Sequence, residues 1–282
     1  MIEFQNVTYV YGENTPFRRV AVDDVSFKIE EGTVTGIIGH SGSGKSTLSQ
    51  LMNALIQPNS GKILLDGKDI NENAASRRRT RFDVGLVFQY PEYQLFEETV
   101  RRDIAFGPTN MKLSESEIRD RVAEAARFTG ITEEMLDKSP FDLSGGQKRR
   151  VAIAGVIAMD PKVLVLDEPA AGLDPVGRRE ILGGLISYRK QRGNTLVIIS
   201  HSMEDIAEYS DKILVLNEGK LLMHGTPREV FSEGEKLRNA GLSLPEVTEL
   251  MMKLSEKGMD VETSLYTVDD AFDELIQKIK RK

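Results

Sequence analysis

Two glycine-rich stretches and one pair of adjacent carboxylates hold the chemistry legible in this chain. The first stretch, Gly39-His40-Ser41-Gly42-Ser43-Gly44-Lys45-Ser46-Thr47, fits the pattern G-x-x-x-x-G-K-[ST]. Glycines at these positions let backbone N–H groups approach a chain of phosphates with no Cβ in the way. Lys45 brings positive charge to the outer phosphates, and the Ser46 hydroxyl can ligate Mg²⁺. The second stretch is Leu143-Ser144-Gly145-Gly146-Gln147. Ser144 is placed to cap a helix, so its hydroxyl and the N–H groups of Gly145 and Gly146 can meet another anion. Asp167 and Glu168 follow the apolar run Val163-Leu164-Val165-Leu166. At such a strand end Asp167 can hold a Mg²⁺ shell while Glu168 orients or deprotonates a water.

The elements that must position these groups are visible as patterns. Thr33–Ile38 is a short β-branched run ahead of the first glycine stretch, as a buried strand should be. Behind it Leu48, Leu51, Met52 and Leu55 recur at helical spacing until Pro58 and Asn59. Strand, glycine loop and helix thus stand in the order that aims a helix N-terminus at an anion. Residues 2–11 alternate as a strand does, and further strands are expected at Lys62–Leu65, Val84–Phe88, Leu196–Ser200, Ile213–Leu216 and Leu221–His224. Ser114-x-x-Glu117 reads as a capping box with Ile118, Val122 and Ala125 on one face. A further helix should start at Ser144 and run through Val151–Met159. Strands alternating with helices imply an α/β chain with a mostly parallel sheet covered on both faces. The interval from Gln89 to Val163 carries helix signals and little strand signal, which suggests a helical subdomain at about 90–160 inserted into a domain spanning 1–230.

Residues 231–282 read as a separate helical extension. Ser243-Leu244-Pro245-Glu246 resembles a capping box leading into Val247, Leu250, Met251 and Leu254, with Gly258 as the stop. A last helix should begin near Thr267 with Val268, Phe272, Leu275 and Ile279 inward, and end in Lys280-Arg281-Lys282, cations that suit a helix C-terminus.

Composition removes several classes of function. The absence of cysteine excludes disulfides and thiolate metal sites, and is compatible with a reducing cytoplasm. Three histidines, His40, His201 and His224, leave little for a histidine metal cluster. Few aromatics, no tryptophan and a net charge of −7 argue against a nucleic-acid partner. Arg77-Arg78-Arg79-Thr80-Arg81 is read against that balance as a solvated surface segment or a contact with an acidic partner. No apolar run reaches the length of a membrane span, and Met1–Asn6 lacks the basic and apolar segments of a secretory signal.

Taken in order along the chain, these motifs resemble those of the ATP-binding-cassette ATPases, over roughly residues 1–230. Residues 39–46 match the family's Walker A loop, and Leu143–Gln147 match the signature that sets it apart from other P-loop enzymes. Asp167 and Glu168 match the Walker B pair. Gln89 matches the Q-loop glutamine, Ala171-Gly172-Leu173-Asp174 the D-loop, and His201 the switch histidine. Tyr11 matches the aromatic that stacks on adenine, with Tyr9 and Phe17 as alternatives. The resemblance implies a P-loop NTPase fold of the ABC type: a mostly parallel central sheet, an N-terminal antiparallel β portion, an inserted α-helical subdomain and a small C-terminal helical extension. It implies ATP and Mg²⁺ as cofactors, with Glu168, His201 and Gln89 catalytic and Ser46, Gln89 and Asp167 at the metal. Tyr11, residues 39–47, Ser144–Gln147 and Asp174 would meet nucleotide, the signature residues doing so on the other subunit of a dimer closed by ATP.

Four segments are similar to the energy-coupling-factor branch: Phe88–Phe96, Asp103–Asn110, Ser144–Gly155 and Gly172–Pro175. The insertion at Asn14–Arg19 and the 230–282 tail fit that branch as well. That likeness implies a peripheral protein on the cytoplasmic face of the cell membrane, driving uptake of vitamins or other micronutrients. Its partners would be a paralogous ATPase, or a second copy of itself, a transmembrane coupling protein docking near Gln89–Phe96, and indirectly a substrate-binding membrane protein. For Tyr90, Tyr93, Leu95 and Phe96 the competing reading is ordinary core. The alternatives are a homodimeric cobalt or nickel importer ATPase and a soluble cassette ATPase acting on DNA or ribosomes. The latter typically carries a coiled-coil insertion or a second cassette, neither of which this chain shows.

Overall fold

The short β-branched runs are buried along their whole length, and alternate residues serve two different cores. In the computed structural model, which describes residues 1–280 and side chains as far as Lys278, Val163 and Val165 join one apolar cluster while Leu164 and Leu166 join another. Ile37 and Ile38, Val197 and Ile198, and Leu214 and Val215 divide in the same way. Successive side chains of a strand point to opposite faces, so this sheet is covered on both sides, as continuous apolar strands require.

In chain order the strands are β1 (Ile2–Tyr11), β2 (Arg19–Ile29), β3 (Val34–Ile38), β4 (Ser60–Leu65), β5 (Lys68–Asp69), β6 (Val84–Val87), β7 (Val163–Asp167), β8 (Thr195–Ile199), β9 (Lys212–Asn217) and β10 (Lys220–Gly225). The helices are α1 (Lys45–Met52), α2 (Ala74–Asp83), α3 (Val100–Asn110), α4 (Glu115–Thr129), α5 (Glu133–Leu136), α6 (Gly145–Ile157), α7 (Pro175–Arg192), α8 (Met203–Tyr209), α9 (Pro227–Ser232), α10 (Gly234–Asn239), α11 (Glu246–Glu256) and α12 (Val268–Lys280). The central sheet runs β10-β9-β3-β8-β7-β6, parallel from β9 to β6, with β10 antiparallel at one edge. An antiparallel sheet, β2-β1-β4-β5, shares one core with α1 and one face of the central sheet. Helices α3 to α6 lie between β6 and β7 in the chain and share the other core.

Because β3, β8, β7 and β6 are parallel neighbours, their C-terminal ends lie along one edge. β3 leads there into Gly39–Gly44, β8 into His201, β7 into Asp167 and Glu168, and β6 into Gln89. Ligands of open α/β sheets collect at this edge.

Several expectations are corrected. Strand β2 escapes sequence reading because left-handed residues at Asn6 and Asp24 shift the β1–β2 register and break the alternation. Arg77–Arg81 lie on a helix, α2, capped by the Asn73 side chain accepting from Ser76 N–H at 2.9 Å, and Arg78, Arg79 and Arg81 are exposed there, as a solvated surface segment should be. The helix after the phosphate loop stops at Met52, since Ala54 turns left-handed and leaves Leu55 exposed. Ser243 does not cap α11; Pro245 takes that position with no side-chain bond. The capping box at Ser114 forms as read, and Ser144 caps its helix as expected, with Gln147 completing a box there as well.

The expected boundary at 230/231 falls inside α9, and Val230, Phe231, Leu237 and Leu244 are buried in the same cluster as the sheet. In the last two helices Leu250, Val268 and Phe272 face outward, while Met251 and Ala271 are buried. The Ile279 side chain and the terminal cations of Lys280–Lys282 lie outside the described residues.

Leu164 is fully buried in the middle of β7. Leu164→Ala should lower unfolding stability by about 2–5 kcal/mol, read as a fall in urea midpoint at constant m.

Candidate functional site

The loop between β3 and α1 is shaped for an anion before any ligand is considered. Gly44, at the N-cap of α1, has φ 106°, and no side chain caps the helix, so its first N–H groups remain available. A Cβ at Gly44 would collide with the Ala21 carbonyl, and one at Gly39 with Ser43 and the Leu216 carbonyl, so both positions require glycine. The Lys45 ammonium curls over the loop and donates to the carbonyls of Gly39 at 2.6 Å and His40 at 3.0 Å. Burial lowers its pKa, while Asp167 and Glu168 oppose that shift.

Ser46 and Asp167 meet although 121 residues separate them: the hydroxyl donates to Asp167 Oδ2 at 2.8 Å. That hydroxyl–carboxylate pair beside a phosphate cradle is the donor set that suits Mg²⁺, which takes few protein oxygens and completes its shell with phosphates and water. Among the described residues no cluster of three acidic or histidine side chains offers a metal site of its own.

Glu168 stands at the next position with φ 54°, a left-handed conformation costly for a non-glycine residue, held by its N–H donating to the Ile199 carbonyl at 2.9 Å. Its Oε1 is buried with no hydrogen-bond partner. Burial raises its carboxyl pKa to about 7, with Asp167 adding to the rise and the His201 backbone and Lys45 opposing it. A carboxyl of that pKa is matched to accepting a proton from water near neutral pH. His201 Nε2 lies 3.8 Å from Glu168 Oε1. Burial and then Lys45 lower the imidazole's pKa, so at neutral pH this is a polar contact rather than an ion pair.

The cavity beside the loop is lined by Tyr11, Arg19, Ala21, Gly42, Gly44, Lys45, Ser46 and Thr47. Tyr11 lies at its rim with the phenol oxygen 3.3 Å from Thr47 Oγ1, whereas Tyr9 packs on the core and Phe17 projects outward. His40 and Ser41 form the outer turn of the loop, joined by a 2.7 Å contact from His40 Nδ1 to the Ser41 carbonyl. Gln89 is exposed on the same edge and makes no hydrogen bond to Ser46 or Asp167.

None of residues 143–147 lines this cavity. They open α6 elsewhere, where Ser144 N–H donates to Gln147 Oε1 at 3.0 Å and Gln147 N–H to Ser144 Oγ at 3.4 Å. Gly145 faces open space, and a Cβ at Gly146 would press on Leu173. Asp174 caps α7 by accepting from Gly177 N–H at 2.8 Å.

Sequence reading missed three residues here. Arg19 donates to the Gly42 carbonyl at 3.2 Å. Arg178 and Asp205 pair at 2.7 Å, tying α7 to α8. Their signals are lone charges, which carry no pattern until the fold pairs them. Tyr90, Tyr93 and Phe96 are exposed, and Leu95 alone of that group is core.

This edge defines the class of protein: a P-loop nucleoside triphosphatase. The family model described as "ABC transporter" matches residues 22–171. The energy-coupling factor transporter ATP-binding protein EcfA2 of Caldanaerobacter subterraneus subsp. tengcongensis is 50% identical over 99% of this chain and 98% of its own length. The structure of cbiO1 from Clostridium perfringens, part of the ABC transporter complex cbiONQ, is 43% identical, with a TM-score of 0.75 over 89% of this chain and 98% of that one. A dimeric ATP-binding cassette with ADP and Pi bound is 28% identical, with a TM-score of 0.73 over 80% of this chain and 98% of that one. The chain belongs to the ABC transporter family and is one of its ATPases.

The raised Glu168 pKa has a consequence for stability. Below its ordinary pKa of 4.5 the carboxyl is protonated in both folded and unfolded chains. As pH climbs toward about 7 the unfolded chain ionises first, so the folded state loses stability over that window. Glu168→Gln should therefore melt progressively higher than the parent from about pH 5 to about pH 8. An equal difference in melting temperature at both pH values would contradict the assignment.

Proposed function

We propose that this chain is the ATP-hydrolysing subunit of an energy-coupling-factor transporter, working at the cytoplasmic face of the membrane beside a second ABC ATPase. One observation carries the two-subunit reading: the nucleotide cavity takes no wall from Leu143–Gln147, while the N-terminus of α6 opens onto free space at Gly145. ATP held on residues 39–47, with its base against Tyr11, would leave its terminal phosphate for another subunit's signature helix. Ser144–Gly146 here would close over that subunit's nucleotide, and Asp174 would stand beside the shared boundary.

Ser46 and Asp167 would hold Mg²⁺, with Gln89 completing the shell once nucleotide draws it inward. Mg²⁺ supplies charge neutralisation on the phosphate oxygens. Glu168 takes the proton of the attacking water, and His201, kept neutral, can donate a hydrogen bond toward the transferred phosphate. Lys45 leaves the Gly39 and His40 carbonyls for the phosphates.

The membrane component would dock on Tyr90, Tyr93 and Phe96, the last stacked edge-on to the exposed Phe106 at 4.9 Å between ring centres. Tyr93 is 85% exposed, which favours a partner surface over core. No helix among the described residues is long and apolar enough to cross a membrane, so a separate spanning protein fits this surface. The likeness to EcfA2 along nearly the whole chain supports a heterodimer with a paralogous ATPase. A cobalt importer that pairs with itself is the second reading, favoured by the likeness to cbiO1.

Glu168→Gln should reduce ATP turnover by about 10²–10⁴-fold while ATP affinity, measured by equilibrium titration, stays near the parent value. Undiminished turnover would refute the role of Glu168. Ser144→Arg places bulk and charge at the open helix end. Mixed with a normal partner, it should bind ATP on its own loop yet fail to form the ATP-dependent dimer in sedimentation. Normal dimerisation would refute the assignment in trans.

A further inference from the structure

Among the described residues only two cations are buried, Lys45 in the phosphate loop and Arg149 in α6. Arg149 is 4% exposed, and an ionised group so buried persists only with full pairing. Its partners come from two different segments. Nε and Nη2 donate to Glu92 Oε2 at 3.2 Å and Oε1 at 3.0 Å, a two-pronged bond to the single 3₁₀ turn Pro91–Gln94. Nη1 donates to the Ala171 carbonyl, in the loop between Glu168 and Asp174. The neighbouring Arg150, by contrast, pairs with Glu180 at the surface.

One guanidinium thus joins three pieces with separate tasks. Glu92 lies among Tyr90, Tyr93 and Phe96, the surface proposed to receive the membrane component. Arg149 is on the helix whose open end would meet the neighbour's nucleotide. Ala171 lies three residues after Glu168 and three before Asp174. Guanidinium geometry suits this use, because a planar fork of five donors serves a carboxylate and a carbonyl together.

We propose that Arg149 is a positioning residue that makes the docking turn, the signature helix and the Ala171–Asp174 loop move as one body. A shift of the docking turn by the membrane component is then delivered to the helix end and loop that close over nucleotide. The inference rests on the docking reading above. It predicts that Arg149 governs how much transport accompanies hydrolysis, not how tightly the chain holds its own ATP.

The test uses the complete transporter in lipid vesicles, with Arg149→Lys as the first variant. Lysine can still pair with Glu92, but a point charge cannot serve that carboxylate and the Ala171 carbonyl at once. The expected result is a retained membrane component and an ATP affinity within about twofold of the parent, with uptake per ATP hydrolysed falling about fivefold or more. Glu92→Gln, which keeps one acceptor for the guanidinium, should lower the same ratio and guards against a folding defect in the first variant. An unchanged ratio in both, or uptake and hydrolysis falling in equal proportion, overturns the proposal. Failure of the docking reading looks different: the membrane component would stay bound to a Tyr93→Ala, Phe96→Ala double variant.

Discussion

Burial of Asp167 and Glu168 at the end of a strand sealed on both faces is the constraint on which the rest of this structure depends. Removing carboxylates from water is costly, and both acids respond with raised pKa values. The surrounding groups answer that cost unequally. Asp167 receives the Ser46 hydroxyl and lies near the Lys45 charge, whereas Glu168 keeps an oxygen with no partner. The difference separates the two acids: the Ser46 hydroxyl and the Lys45 charge oppose the rise at Asp167, while burial leads at Glu168 and carries its pKa to about 7, which suits the proposed roles of cation ligand and proton acceptor.

The same sealing explains why the site forms at an edge. The parallel strands β3, β8, β7 and β6 cannot expose polar groups along their length, so functional residues gather where the strands end. The free helix end of α1 completes the edge on one side. The start of α6 does not complete it further, since none of Leu143–Gln147 lines the cavity and Gly145 faces free space. In the proposed two-subunit arrangement, such an incomplete half-site would let nucleotide act as the contact between two proteins.

Legibility in the sequence followed locality. The phosphate loop was readable because its glycines, lysine and serine are contiguous and flanked by a strand and a helix. The capping box at Ser114 and the helix cap at Ser144 were readable because they involve residues at most three apart. Strand β2 was not, because the left-handed residues at Asn6 and Asp24 shift its register against β1. The Ser243 pattern misled because Pro245, inside it, takes the cap. The face of α12 was misjudged since its apolar stripe points outward at Val268 and Phe272, a choice the pattern alone does not determine. The Arg149–Glu92 bond was invisible because its partners are 57 residues apart and each is an unremarkable charge in isolation.

The nucleotide on residues 39–47 is proposed to be completed by another subunit. The most direct measurement is a cryo-electron-microscopy structure of the transporter with ATP bound and hydrolysis blocked. The terminal phosphate held by Lys45 should lie within hydrogen-bond distance of the other ATPase's signature-helix amides, and Ser144–Gly146 here should face the other ATPase's nucleotide. A nucleotide enclosed by this chain alone, with Ser144–Gly146 left in solvent, would contradict that proposal.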